Sequence, residues 1–254
     1  MDNPLLLALF FFLIAIFYSS VGFGGGSSYI ALLSLAGIEL YVLRSTALMC
    51  NIIVVSGGTF IFYQQGYLNL KRTLPIIIAS IPLAFLGGYL PLSADILFIV
   101  LGFSLLVAAI LLWIQPQSHK EDNTTQRAIR SNTAGVTIGG GIGFLSGIVG
   151  IGGGIFLSPV LNLIRWSRPK SVAAIASFFI LVNSIAGLVG QWAQHPPYLD
   201  LEWSWPLLLA VFFGGQIGSR LTTQKFSNST IKRTTAVLVL IASLKILNDY
   251  LFGF

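Results

Sequence analysis

Charge and cysteine are both scarce in this sequence. Only 9% of its 254 residues are charged, whereas a soluble domain carries about 25%. Hydrophobic residues make up 55%, and the mean hydropathy is +0.86. The single cysteine, Cys50, excludes an intrachain disulfide and a multi-cysteine metal site. The composition therefore predicts a polytopic membrane protein.

Carboxylates are missing from the middle of every long apolar stretch. The eight acids lie at the ends of these stretches or in polar segments. Because intramembrane proton relays and cation sites use such carboxylates, cation transport and proton coupling through a buried acid are disfavoured. An anionic substrate fits better. The sequence also has no catalytic set, cofactor motif or metal-ligand cluster, so we predict no enzyme, no catalytic residue, no cofactor and no metal.

What the sequence does contain is a series of eight apolar segments. Most are about 20 residues long, enough to cross about 30 Å of hydrocarbon. They cover residues 5–36, 45–65, 73–91, 94–114, 133–164, 171–193, 204–222 and 231–252. The polar stretch 115–132 at the midpoint is predicted to link an N-terminal repeat over 1–114 to a C-terminal repeat over 133–254.

The two longest segments are each interrupted by a glycine-rich pentad. Gly22-Phe23-Gly24-Gly25-Gly26 and Gly150-Ile151-Gly152-Gly153-Gly154 hold four glycines each, and every helical glycine costs roughly 1 kcal/mol relative to alanine. Non-helical backbone in a bilayer survives only where protein buries it or where it lines a cavity. A break that recurs in both halves indicates a transporter's substrate site. Close helix packing through small residues is the alternative.

The distribution of lysine and arginine predicts the topology. If every segment crossed once, the 14 basic residues would fall on both sides in comparable numbers. If 5–36 and 133–164 are helical hairpins, all basic residues except Arg44 and Lys245 fall on one side, which is a strong positive-inside pattern. We therefore predict an all-α protein of two inverted repeats. Each has a Gly-broken hairpin followed by three transmembrane helices, with a cytoplasmic linker and both termini outside.

Residue matches between the halves support a duplication. Gly87-Gly88 matches Gly214-Gly215, and Arg44-Ser45 matches Lys170-Ser171. The basic residues are spread thinly between apolar segments, which favours loop charge over a nucleic-acid-binding face. We therefore expect the lipid bilayer and a small anion as partners, and no nucleic acid; a homo-oligomer stays open.

The predicted anion site lies at the two hairpin tips. A short helix starts after each pentad and presents unpaired N–H groups and the positive end of its dipole. Buried amides such as Asn51 and Asn183, treated as a symmetric pair, face either another helix or the substrate path. Arg44 and Lys170 are predicted to attract anions at the two mouths, or simply to flank the membrane. The candidate substrate-binding residues are Gly24, Gly25, Gly26, Ser27, Ser28, Asn51, Ser56, Gly152, Gly153, Gly154, Ser177, Asn183 and Ser184.

Three features together resemble the TauE/SafE sulfite exporter family, also called the toluene sulfonate uptake permease family. They are the duplicated GxGGG pentad, the basic-Ser pair before the following helix, and the Ser56-Gly57-Gly58 stretch. The resemblance covers essentially the whole chain. One departure is that Ser158-Pro159 follows the second pentad, whereas Tyr29-Ile30 stands at the corresponding place after the first.

The resemblance implies a permease of the bacterial inner membrane for small sulfur-containing anions such as sulfite or organosulfonates. We therefore predict a secondary transporter that exports such an anion. The alternatives are an anion channel of the same architecture and a membrane subunit that partners a sulfur-metabolism enzyme.

Overall fold

The structure is a computed structural model that describes residues 4–114, 132–164, 166–194, 201–221 and 228–251. These residues form ten α-helices and no strand. The helices are α1 (Pro4–Ser19), α2 (Gly26–Leu35), α3 (Leu40–Gln64), α4 (Leu70–Tyr89), α5 (Ala94–Ile114), α6 (Asn132–Val149), α7 (Gly154–Leu163), α8 (Pro169–Gln194), α9 (Leu201–Leu221) and α10 (Asn228–Leu251). Of the predicted linker 115–132, only Asn132 lies within the described residues.

Both glycine pentads break the helix, and the chain turns back at each of them. Gly25 and Gly153 adopt left-handed conformations, with φ of 90° and 76°, which residues with a β-carbon rarely adopt. After the first break, the Tyr29 ring stacks on the Phe11 ring of α1, with centroids 4.5 Å apart. This stack therefore joins the two arms of the hairpin.

The lengths of the helices fit a multi-pass membrane protein. Among the described residues, four helices, α3, α4, α5 and α8, are long and apolar enough to cross a bilayer. The hairpin arms are shorter, and α2 and α7 have 10 residues each. At 1.5 Å per residue each spans about 15 Å, or half of a hydrocarbon core. Large apolar side chains such as Trp113 (63% exposed) cover the outside of the bundle.

The first arm of each hairpin packs on a helix of the other half. α1 packs mainly on α9, and α6 packs mainly on α4. In the second case glycines allow the contact, because a β-carbon added at Gly143 would lie 2.6 Å from the Ser80 carbonyl oxygen. The contacts also correct the sequence match of Gly87 with Gly214. Gly87 approaches the Phe144 carbonyl, and its counterpart is Gly218, which approaches the Ile16 carbonyl one helical turn further on.

Corresponding helices of the two halves pack antiparallel. Ser45 of α3 donates to Gln191 Oε1 of α8 at 3.0 Å, while Thr59, further along α3, is 2.9 Å from Ser177, which lies earlier in α8. In the same way, α5 and α10 join through Phe98 and Tyr250, whose ring centroids are 4.4 Å apart, and through Gly102 and Ser243. This is the packing that inverted repeats produce.

Candidate functional site

Asn51 lies between the two glycine pentads. This residue of α3 is fully buried. A β-carbon added at Gly24 would collide with its Oδ1, and one added at Gly26 would lie 2.5 Å from its Nδ2. The same Nδ2 lies 3.1 Å from the β-carbon position of Gly152 in the other pentad. One amide therefore touches the tips of both hairpins, and only glycine leaves room for it there.

The amide of Asn51 makes no hydrogen bond within the described part of the chain, through either Oδ1 or Nδ2. Leaving such a group unpaired in a protein interior costs on the order of 1–3 kcal/mol. A buried amide with two N–H donors and a carbonyl acceptor, all unused, is suited to hold a polar ligand. The sequence left open that the Asn51 amide bonds another helix; within the described residues it makes no such bond.

The second pentad adds a hydroxyl from α8. Ser184 Oγ lies 2.8 Å from the β-carbon position of Gly152, and it too is buried without a partner among the described residues. Asn183 is placed differently, because its Nδ2 donates to the Phe179 carbonyl of its own helix at 2.8 Å. Only its Oδ1 is left without a partner within the described ranges.

Each short arm begins at its pentad with an uncapped helix start. α2 begins at Gly26 and α7 at Gly154, and neither N-cap glycine offers a side-chain hydrogen bond. The first intrahelical bonds are donated by Ser28 and by Phe156. The N–H groups of the preceding residues point out of the helix start, where the dipole favours an anion. Gly26 at the start of α2 lies against Asn51, and Gly154 at the start of α7 comes two residues after Gly152, which also lies against Asn51.

Several predicted site residues lie elsewhere or are already bonded. Ser28 Oγ is bonded to the Tyr18 hydroxyl at 2.8 Å, while its neighbour Ser27 is buried at the start of α2. Ser177 bonds Thr59 and so joins α8 to α3. Ser56 is exposed and donates to the Ile53 carbonyl of its own helix at 2.8 Å.

The two basic candidates differ in their surroundings. Lys170 is exposed, and its Nζ lies 3.4 Å from the Tyr67 hydroxyl and 5.3 Å from the centre of that ring. Arg44 is not at the surface: it is 5% exposed and donates from Nη2 to the Gly147 carbonyl at 3.1 Å. Arg44 therefore lies inside the protein beside the second hairpin.

Sequence reasoning missed Ile180, which faces the second tip as Asn51 faces the first. A β-carbon added at Gly152 would lie 2.7 Å from Ile180 Cγ2, and one added at Gly154 would meet its Cδ1. The feature that could have identified Ile180 from the sequence is its number of residues from the pentad, not its residue type. Asn51 follows Gly24 by 27 positions, and Ile180 follows Gly152 by 28. The structural counterpart of Asn51 is therefore Ile180, not Asn183.

Broken helices that meet at a buried polar group inside a multi-pass bundle are typical of membrane transporters. The comparisons with known proteins agree with this class. The chain belongs to the sulfite exporter TauE/SafE family, whose model matches residues 7–246.

The chain is similar to proteins named as probable membrane transporters in bacteria and archaea. It is 33% identical to the probable membrane transporter protein y4hK of Sinorhizobium fredii, over 95% of this chain and 97% of that protein. It is 23% identical to YunE of Bacillus subtilis, over 88% and 90% of the two chains. With the protein MJ0441 of Methanocaldococcus jannaschii, the identity is 25% over 87% of each chain. No solved structure matches it. These names point to a membrane transporter rather than an enzyme.

Proposed function

We propose that this membrane transporter exports a small sulfur-containing anion, such as sulfite or an organosulfonate, across the bacterial inner membrane. The single observation that carries the proposal is the Asn51 amide, which is buried between two glycine pentads with no partner in the described chain. The family match supports the choice of a sulfur oxyanion.

In this proposal the anion is held mainly by main-chain groups. The N–H groups at the starts of α2 and α7 and the positive ends of both helix dipoles face it. The Asn51 Nδ2 and the Ser184 hydroxyl add donors, since neither is used within the described protein. Glycines let the anion approach the backbone because no β-carbon intervenes. This arrangement binds a tetrahedral or pyramidal oxyanion without a lysine at the tips.

We propose that the transport cycle moves one inverted repeat against the other. The antiparallel packing of α3 on α8 supports inversion. The positive-inside pattern supports a cytoplasmic linker 115–132 with both termini outside. Because Asn51 contacts both hairpins, a relative movement of the halves changes the contacts at this residue first and so couples binding to the exposure of the site.

The test is the thermal stability of the purified protein with sulfite, sulfate, thiosulfate, sulfoacetate or chloride. A ligand that prefers the folded state raises the melting temperature, so we expect one sulfur anion to stabilise the protein and chloride to have no effect. Asn51→Ala should remove this response. The matched control is Ser104→Ala in α5, whose buried hydroxyl bonds the Leu101 carbonyl of its own helix, and the response should persist there.

Two results would contradict the proposal. If no sulfur anion stabilises folded protein, the pentads are packing devices. If vesicles containing the protein carry sulfite-driven currents larger than a turnover cycle allows, the chain is an anion channel instead.

A further inference from the structure

Arg44 is a buried cation that the proposed tip site does not use. It lies on α3, is 5% exposed, and makes one side-chain hydrogen bond within the described ranges, from Nη2 to the Gly147 carbonyl at 3.1 Å. Its Nε is buried with no partner among the described residues. The side chain runs along the second pentad, with its Cβ 3.4 Å from the β-carbon position of Gly150.

No carboxylate balances this charge in the part of the chain whose side chains the structure describes. The acids there, Glu39, Asp95 and Asp249, are all exposed, and no ion pair joins any of them to Arg44. A buried charge without a counter-ion costs several kcal/mol, and charged groups inside membrane proteins normally pair or line a substrate path. One hydrogen bond to a neutral carbonyl leaves most of that cost unbalanced.

The position of Arg44 relates it to the tip site. Arg44 and Asn51 are seven residues apart, which places them on one face of α3 about 10 Å apart along the axis. Both contact the second pentad, Arg44 at Gly150 and Asn51 at Gly152. In the other half, Ala173 faces Gly22 as Arg44 faces Gly150. Among the described residues, the outer glycine of the second pentad therefore faces a buried positive charge, and that of the first pentad faces an alanine.

We propose that Arg44 is the buried counter-charge of the transported anion and that its Nε is an anion ligand on one side of the hairpin tips. This assignment rests on the proposed function and deepens it. It requires a substrate that carries a full negative charge and an oxygen able to accept from a guanidinium, as sulfite and sulfonates do. A role confined to holding α6 through Gly147 is the competing assignment.

The test compares sulfite binding to wild type, Arg44→Met, Arg44→Lys and a matched control. Methionine keeps an unbranched apolar side chain, and lysine keeps the charge but loses the Nε donor. The control is Lys245→Met, which removes an exposed cation from α10. The sulfite-dependent rise in melting temperature and the apparent Kd are measured for each protein, together with the melting temperature without anion. If sulfite does not stabilise wild type, sulfoacetate is the second probe.

We expect Arg44→Met to raise the apparent Kd about tenfold or more, since a hydrogen bond to a charged group contributes on that scale. Arg44→Lys should lie between Arg44→Met and wild type, and Lys245→Met should stay within about twofold. If Arg44→Met lowers the anion-free melting temperature but keeps wild-type affinity, the structural assignment holds and the proposal is overturned. If Arg44→Met does not fold, wild-type affinity in Arg44→Lys overturns the Nε assignment. No response of wild type to either anion refutes the proposed function instead.

Discussion

The two hairpin tips have the same backbone but face different side chains. At the first tip, Gly24 and Gly26 lie against the amide of Asn51; at the second, Gly152 and Gly154 lie against the apolar side chain of Ile180. The outer glycines differ in the same way, because Gly22 faces Ala173 whereas Gly150 faces Arg44. The glycine cradle is thus similar at both tips, while the amide and the guanidinium that face it both lie on α3. The two tips therefore share a backbone conformation but differ in the side chains that face them.

The first arms of the hairpins show a second contrast. In the contact of α6 with α4, the close approach depends on glycines of the hairpin arm, such as Gly143. In the equivalent contact of α1 with α9, Ala15 stands at the position of Gly143, and the close approach depends on glycines of α9. Gly87 of α4 and Gly218 of α9 make the same kind of contact in both places, so the difference lies in the hairpin arm, where α6 has a glycine and α1 an alanine.

The largest expected effect on the unfolding free energy comes from Gly143→Ala, which gives α6 the residue that α1 has at the equivalent position, Ala15. The new β-carbon would lie 2.6 Å from a main-chain oxygen, which cannot move without shifting α4, so we expect a loss of about 3 kcal/mol in unfolding free energy. Denaturant unfolding in detergent measures it. Gly141→Ala is the control, because no atom lies within 4 Å of its β-carbon position. Equal stability of the two variants would show that the helices can separate at no cost.

A smaller effect is expected from a double-mutant cycle at the first tip. Gly24→Ala places a β-carbon against Asn51, and we expect Asn51→Ala to relieve the clash, with a coupling of about 1–2 kcal/mol. The same unfolding measurement provides the four values. The matched cycle pairs Gly154→Ala with Ile180→Ala, where the obstructing atoms belong to the end of a flexible side chain and the coupling should be weaker. Equal coupling free energies would mean that Asn51 and Ile180 yield equally to an added β-carbon, so that the two tips do not differ in this respect.

The smallest effect is expected from Ile180→Val. Removing one methylene from this buried side chain should lower the unfolding free energy by about 1 kcal/mol. If Ile180 only packs against the second tip, the rise in melting temperature that the bound sulfur anion causes should be the same as in wild type. Loss of that response, with the fold intact, would give the Ile180 side chain itself a part in binding and remove the contrast with Asn51.

The sequence predicts the architecture because membrane burial leaves a strong signal. Long apolar runs, two glycine pentads that break a helix and a biased distribution of lysine and arginine can be read from the sequence alone. The all-α fold of a polytopic membrane protein is confirmed. The start of α3 was harder to place, because Arg44 looked like the polar end of a segment. In the structure the helix begins at Leu40 and buries the arginine.

The register between the repeats could not be obtained from residue identity. Residue identity pairs Asn51 with Asn183, since both are amides, yet the position facing the second tip is occupied by Ile180. Likewise it matches Gly87 with Gly214, one turn short of Gly218. Such shifts of three or four residues are hard to detect because residues three or four apart lie on the same face of a helix. Where equivalent positions of the two halves hold different residue types, as Asn51 and Ile180 do, matching similar residues pairs the wrong positions.

The packing of α1 on α9 has a consequence for biosynthesis. About 180 residues separate the end of α1 from the start of α9, and at roughly 5–20 residues per second a ribosome needs about 10 to 40 s to make them. Throughout that interval the first helix is in the membrane without its main partner. Until then lipid, the insertion machinery or α3 must cover the face of α1 that later packs on α9, and this contact forms only after α9 has been made.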